Sequence, residues 1–486
     1  MKVALVNPST TATRNVVRDI LSGCWCKGRR IGGASVPPYM LLSIGAVLRQ
    51  AGFEVALLDA QAESLSAQEA AGRLRDAGAL VMSSSSMTFR EDLAFLAQVR
   101  AANPRVTVIL FGAHPTHMPR YCLASEHVDV VVRGEPEYLV RDCVRALESG
   151  RPFNTASPGG KGIAFRGEAG PVVGGQGEPI TSLDDLPFMA IDLLPGGAAY
   201  FNPIALRTPY MTMMTSRGCA GRCTFCPVPA FYGRKVRVQS AGRVFAEFDF
   251  LKRNGFHEVY LRDEMFTVSP SRTADLCDMM IARKLDLSWV CNAKVGSVDK
   301  SMMRLMKRAG CHLLKFGVES GSQRILDLAR KDIKLEETER TFRDAREAGI
   351  DTHAHVMLGM PGETRATMRE TMRFTRLIRP TTASFGICTP LPGTRLFDIV
   401  AAKSPEIEDG SACDLAKLHS TAFFSRAFTD LPPELLEESM KRAYFEFYFR
   451  PGYLPECVHQ MSGQGALRRL VRAGMQLAAF AFVGDG

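Results

Sequence analysis

Ser216-Arg217-Gly218-Cys219-Ala220-Gly221-Arg222-Cys223-Thr224-Phe225-Cys226-Pro227 places three cysteines in a CxxxCxxC run. Thiolates this close in sequence can converge on one iron-sulfur cluster, and a cluster held entirely by cysteine needs four of them. No fourth ligand is near, since the next histidine is His257 and the next cysteine Cys277. Cys219, Cys223 and Cys226 could therefore hold three irons of a four-iron cluster and leave the fourth open to a small molecule. Two plainer readings stand beside this one. Free cysteines are often small buried hydrophobes, and three thiolates with a distant fourth ligand could make a structural zinc site, although such sites usually show paired C-x-x-C knuckles.

The apolar run 210–215 before the loop reads as a strand, and from there to about residue 397 strands and helices alternate. Runs at 257–261, 288–292, 313–318, 353–358 and 383–387 read as further strands. They end in Arg262-Asp263-Glu264, Asn292-Ala293-Lys294, Glu319-Ser320-Gly321, Gly359-Met360-Pro361-Gly362-Glu363-Thr364 and Pro390-Leu391-Pro392-Gly393-Thr394. In barrels of β/α units the active site gathers at the carboxyl ends of the strands, so these ends are expected to share one mouth. Each has a structural alternative: acidic residues cap helices or pair with lysines, and Gly-Met-Pro-Gly is a credible tight turn.

Upstream, the first 150 residues alternate β-branched runs at 2–7, 54–58, 79–83, 106–111 and 128–131 with helical patterns at 39–51, 67–77, 91–102 and 137–147. That alternation predicts a doubly wound parallel sheet with right-handed crossovers, binding a ligand beyond the carboxyl ends of its strands. The residues there are Asn7-Pro8, Ser83-Ser84-Ser85, Gly112-Ala113-His114 and Gly134-Glu135. Small and glycine-rich loops allow close approach of a large flat or phosphate-bearing ligand, though turn residues end strands in any such fold. The G-x-G-x-x-G fingerprint is absent after the first strand, which disfavours a dinucleotide.

Between these halves, 161–166 and 171–173 could pair as a hairpin inside a connector. Beyond residue 400, positions 431–449 carry a helical apolar stripe, an arrangement more often core than substrate wall. A last helix over 466–483 has Arg468, Arg469 and Arg472 before an apolar part much shorter than the roughly 20 residues that span a bilayer. Packing against the protein is its default, and peripheral membrane contact is the sharper option. The domain reading is 1–150, a connector over 151–205, a second α/β unit over 206–400 and a helical tail over 401–486.

A chain of 486 residues has ample core for two or three domains. Thirteen scattered cysteines, an odd count, argue against a disulfide framework and for a reducing compartment. The opening Met1-Lys2-Val3-Ala4-Leu5-Val6-Asn7-Pro8 has too short an apolar run for a secretory signal, so a cytoplasmic location is expected. The net charge of +9 comes without a basic block interleaved with aromatics, so no nucleic-acid partner is expected.

The cysteine spacing, Phe225 and the preceding strand resemble the signature loop of radical S-adenosylmethionine (SAM) enzymes. The residues 37–52 helix and the Gly112 and Gly134 loops resemble the amino-terminal half of that superfamily's cobalamin-binding class. The resemblance implies a flavodoxin-like (Rossmann-type) cobalamin-binding domain, then a partial (β/α)6 barrel. It implies a [4Fe-4S] cluster on Cys219, Cys223 and Cys226 whose open iron chelates SAM, and reductive cleavage to a 5′-deoxyadenosyl radical. It further implies SAM contacts from Phe225, Asp263 or Glu264, Lys294, Glu319 and Ser320, the two glycines of the family's glycine-glycine-glutamate motif being replaced here by Arg262-Asp263. Cobalamin contacts are expected from Asn7, Pro8, Ser83, Ser84, Ser85, Gly112, His114, Gly134 and Glu135. The D-x-H-x-x-G corrinoid motif is missing: Asp351-Thr352-His353 begins one but lacks the glycine, which points to a cobalt without histidine below it. The activity implied is methylation of an unactivated carbon of a small molecule, fed by an external donor such as flavodoxin or ferredoxin. Oxidative cyclisation or rearrangement of a tetrapyrrole or lipid is the first alternative, and a non-catalytic corrinoid or metal carrier the second.

Overall fold

The computed structural model describes residues 1–9, 17–18, 25–26, 29–30, 34–153, 161–197, 200–404, 407, 425–450, 452–453 and 474–475. In the amino-terminal half, β1 (Lys2–Asn7), β2 (Glu54–Asp59), β3 (Ala79–Ser83), β4 (Thr107–Phe111) and β5 (Val130–Val132) run parallel in the order 2-1-3-4-5. This is the flavodoxin-like order, with its switch point between β1 and β3. Helices α1 (Tyr39–Gln50), α2 (Ala67–Gly72), α3 (Phe89–Ala102), α4 (Ala113–His117), α5 (Pro119–Ala124) and α6 (Pro136–Glu148) connect and cover the strands.

Two expectations change here. The pattern 67–77 gives a helix only as far as Gly72, because Asn103 Nδ2 donates to the carbonyls of Leu74 and Ala77 at 2.9 and 2.8 Å and holds that stretch as a turn. The hairpin of β6 (Ile163–Gly167) and β7 (Gly170–Val173) belongs to the sheet, with β6 antiparallel to β5. Val130–Val132 is fully buried, so an uncovered β5 edge would expose an apolar ladder, and the hairpin closes it.

The second half is a six-stranded parallel half-barrel in sequence order: β8 (Tyr210–Met213), β9 (Glu258–Leu261), β10 (Ser288–Ala293), β11 (Cys311–Glu319), β12 (Asp351–Leu358) and β13 (Thr382–Ile387). Helices α7 (Val228–Tyr232) to α14 (Arg395–Lys403) lie between and after these strands, among them α8 (Ala241–Arg253), α9 (Pro270–Ala282), α10 (Lys300–Arg308), α11 (Gln323–Leu328), α12 (Leu335–Glu347) and α13 (Arg365–Ile378). Alternation sorts the side chains. Val259, Trp289, Phe316 and Val356 enter the large helix-covered core, whereas Tyr210, Tyr260, Val290 and Leu313 point inward and form a separate cluster with Tyr200 and Ile204.

The aromatic stripe of the tail becomes α15 (Pro433–Tyr448), laid along the free edge of β13. Tyr448 Oη donates to Ala383 O at 2.6 Å and accepts from Ala383 N at 3.0 Å, and Tyr444 Oη accepts from Phe385 N at 3.1 Å. The helix expected over 466–483 lies outside the described residues, apart from Gly474 and Met475. No described helix is long and apolar enough to cross a membrane.

The halves share one buried core. Tyr210 Oη donates to Ser35 O at 2.6 Å and Thr212 Oγ1 to Pro37 O at 3.0 Å, binding the segment before α1 to β8.

Candidate functional site

The cysteine loop leaves the carboxyl end of β8 and is braced at both ends. Asp263, at the end of β9, is fully buried and accepts from Thr215 N at 2.5 Å, Thr215 Oγ1 at 2.6 Å and Ser216 Oγ at 2.7 Å. Ser216–Arg217 pairs antiparallel with Arg237–Val238, making a short ribbon around the loop. Gly218 sits at φ +96°, where a Cβ would lie 2.3 Å from Lys235 O, so only glycine fits. Further on, Thr224 N donates to Ala329 O at 3.0 Å. Cys219 Sγ accepts from Gly221 N at 3.4 Å, and a Cβ on Gly221 would stand 3.2 Å from Cys219 Sγ and 3.9 Å from Cys223 Sγ. Two sulfurs thus flank that glycine. Cys219, Cys223 and Cys226 are part-exposed, while Cys122, Cys143, Cys277, Cys291, Cys311 and Cys388 are buried.

Among the described residues no three His, Cys, Asp or Glu side chains converge as one metal ion would require. A four-iron cluster makes a different demand, because each ligand takes its own iron. Three accessible thiols on one braced loop suit that demand.

Of the expected SAM contacts, Asp263 is occupied by the loop, whereas Glu264 takes no part in that bracing. Burial pushes the Glu264 carboxyl up to about 7, Arg262 opposing and Asp263 adding to it, and its charge is felt at Cys226. Glu319 has φ +62° and accepts from Lys331 Nζ at 2.7 Å. Burial opposes the charge of Lys331, yet Glu319 and Cys223 outweigh it and hold the ammonium above the usual lysine range. Ser320 is turned inward, its Oγ 3.1 Å from Thr371 Oγ1 and accepting from Ser322 N at 3.1 Å. Lys294 lies at the rim, part-exposed, 3.4 Å from Asp332. Phe225 is partly buried against the apolar cluster of Ile325, Ala329, Met360, Cys388 and Leu396.

At the ends of the first sheet, the expected cobalamin contacts divide. Asn7 Nδ2 donates to Asp59 at 2.8 Å and Pro8 O accepts from Arg18 at 3.1 Å. Ser84 Oγ donates to Asp92 at 2.7 Å, and Ser85 Oγ lies 3.0 Å from Thr88 Oγ1. Ser83 Oγ and His114 Nε2 are buried without a partner among the described residues. Gly112, at φ +117°, brings its Cα side so close that a Cβ would lie 2.9 Å from Ser84 O and 3.0 Å from Ser83 Oγ. Gly134 N donates to Thr116 Oγ1 at 3.1 Å.

Glu135 is directed elsewhere. Its carboxylate accepts from Arg217 Nη1 at 2.7 Å and Arg237 Nη2 at 2.5 Å, and Arg217 also binds Glu137. All four side chains are buried, which makes them a clamp between the end of β5 and the cysteine ribbon. The sequence reading missed Arg217 and Lys331 as site residues. A cation set between an apolar strand and the cysteines, with no acid nearby in sequence, was a usable signal for Arg217. Lys331 follows α11 away from any strand end and gave none.

Residues 213–375 match the model of the radical SAM superfamily, and residues 32–144 match that of the B12 binding domain. The chain belongs to the cobalamin-binding radical SAM enzymes. Membership implies a [4Fe-4S] cluster, SAM and cobalamin as cofactors. This radical SAM chain is 28% identical over 458 residues to an "uncharacterized methyltransferase" of Pyrococcus horikoshii, covering 92% of this chain and 96% of the relative. It is 26% identical over 388 residues to the anaerobic magnesium-protoporphyrin IX monomethyl ester cyclase of Rubrivivax gelatinosus, covering 76% of this chain and 68% of the relative. The solved radical SAM methyltransferase TsrM of Kitasatospora setae, with cobalamin and a [4Fe-4S] cluster bound, shares its fold: TM-score 0.66 at 19% identity, over 84% of this chain and 75% of that one.

Proposed function

We propose that this radical SAM enzyme is a methyltransferase that places a methyl group on an unactivated carbon of a small molecule. The observation that carries the reading is the buried clamp of Arg217 with Glu135 and Glu137, because Arg217 stands two residues before Cys219 and ties the cysteine loop to the end of the B12-binding sheet. Two cofactors set to work on one substrate need such a fixed seam. Ordinary methyl transfer requires an electron-rich acceptor, so an inert carbon must first lose a hydrogen atom. When bound, the cluster with SAM supplies a hydrogen-abstracting radical and cobalamin supplies the methyl group.

In this reading Cys219, Cys223 and Cys226 hold three irons, and Glu264 meets the amino group of SAM. The Glu319–Lys331 pair sets the charge beside the cluster, and Phe225 covers it from the side of α14. Ser83, Gly112, His114 and Gly134 cradle cobalamin; Asn7, Pro8, Ser84 and Ser85 hold the shape of that cradle. The electron comes from an external donor of the flavodoxin or ferredoxin kind.

The likeness to the Rubrivivax cyclase supports a second reading, oxidative cyclisation. Product analysis of the reduced, fully loaded enzyme separates the two. S-adenosylhomocysteine together with 5′-deoxyadenosine supports methylation, and deoxyadenosine without S-adenosylhomocysteine supports cyclisation. If neither forms, and Cys223→Ala changes only stability, the chain is a carrier and both readings fail.

A further inference from the structure

The inner face of the half-barrel carries a charge that the described residues around it leave without a countercharge. Lys315, in the middle of β11, is 7% exposed and faces inward, its ammonium donating to Tyr260 Oη and lying 4.8 Å from the centre of the Tyr260 ring. An ammonium has three donors. Among the described residues Tyr260 Oη is its one hydrogen-bond acceptor, and no carboxylate lies within ion-pairing distance.

Four other largely enclosed cations are provided for differently. Arg217 has Glu135 and Glu137, Lys331 has Glu319, Arg18 has Asp92, and Arg272 is surrounded by the carbonyls of Gln239, Phe266 and Thr215. Burying an ammonium without a countercharge is costly, and a single phenol with its ring face offsets only part of that cost. The acids on the same inner face do not reach it. Glu258 is taken by Leu206 N, Arg207 N, Ser288 Oγ and His312, and Asp351 accepts from Thr381 Oγ1.

Two histidines lie beside Lys315, and His353 Nδ1 is already engaged, 2.7 Å from Thr382 Oγ1. His353 stands opposite Lys315 in the β11–β12 register, and His355 opposite Gly317, one layer nearer the mouth. The two rings lie 4.5 Å apart and share Ser384 Oγ, at 3.1 Å from His353 Nε2 and 2.8 Å from His355 Nδ1. The layer of Tyr260, Val290 and Leu313 lies on the amino-terminal side of Lys315 in the register, and the layer of Gly317 and His355 on its mouth side.

We infer that Lys315, with His355 one layer nearer the mouth, seats an oxyanion of the substrate, a carboxylate or a phosphoryl group, inside the half-barrel. The inference deepens the proposed function and rests on it: the substrate is a small acid whose charged end anchors on the middle layer while its reacting carbon stays at the mouth.

The test uses the enzyme loaded with cluster, cobalamin and SAM but kept unreduced, titrated calorimetrically with inorganic phosphate and, separately, acetate, against a chloride background. Saturable binding of either anion, weakened at least tenfold in Lys315→Met and unchanged in Lys300→Met on the surface, supports the seat. Tighter phosphate identifies a phosphoryl substrate, and tighter acetate a carboxylate. His355→Gln, which keeps a donor, should weaken the same anion less than Lys315→Met does. Iron and corrinoid content of each variant reports its folding. The seat is overturned if neither anion binds above chloride, or if Lys315→Met binds as the wild type does. Failure of the proposed function shows elsewhere, as absent deoxyadenosine and S-adenosylhomocysteine from reduced wild-type enzyme.

Discussion

His114 and His117 follow Gly112 on α4, and the Nε2 of each is buried without a partner among the described residues. Burial pushes their pKa values down to about 3 and about 4, with His117 adding to the shift of His114 and Arg133 to that of His117. Unfolded, both protonate near the ordinary value of about 6.5. The unfolded chain therefore binds more protons below that value, and stability present above pH 6.5 falls as pH drops toward 4, by up to about 1.4 kcal/mol per pH unit for each ring. Melting temperature measured from pH 7.5 to 4.5 should fall less steeply in His114→Gln than in the wild type. Superimposable slopes would mean that the ring titrates normally in the folded chain. Residue roles of this kind were only half legible in the sequence. The acidic pair at the end of β9 was plain, but which member is spent on the fold depends on Thr215 and Ser216, some 48 residues earlier, whose donors claim Asp263.

At the scale of elements, α15 shows how an edge strand is closed by side chains instead of a further strand. Tyr448 Oη both donates to and accepts from the backbone of Ala383, and Tyr444 Oη accepts from Phe385 N. Tyr448→Phe removes two hydrogen bonds while keeping the ring, a loss of about 1–3 kcal/mol at roughly 0.5–1.5 kcal/mol each. Urea unfolding should show that loss, and amide exchange should accelerate at Ala383 more than at strands inside the sheet. Unchanged exchange at Ala383 would assign the edge to packing alone. The strands and their order were legible because each is a short apolar run ending in polar residues, and parallel sheets need that alternation with helices. The β6–β7 hairpin was legible as a hairpin but not as a sheet edge, since its partner β5 is set by the need to cover Val130–Val132 and by nothing local. The stripe of α15 likewise showed a buried face without showing what it covers.

The whole molecule depends on contacts that no local pattern encodes. Arg217 reaches Glu135 and Glu137 across 82 and 80 positions of sequence, and Arg237 joins from a further strand of the ribbon. The cysteine loop and the B12-binding sheet could each be read separately, but their mutual placement could not. Breaking a buried ion pair by removing one partner leaves the other charge uncompensated and costs about 3–5 kcal/mol, whereas removing both charges together costs less. Arg217→Met should therefore lower the unfolding free energy by about that amount, and adding Glu137→Leu should recover part of it. Because the clamp joins the two halves, Arg217→Met should also release corrinoid during gel filtration, and the double variant should release it as well, since the bridge is still missing. Recovery of stability without recovery of corrinoid would separate the energetic cost of the buried charges from their work as a bridge. Full corrinoid retention by Arg217→Met would show that the apolar core alone holds the seam.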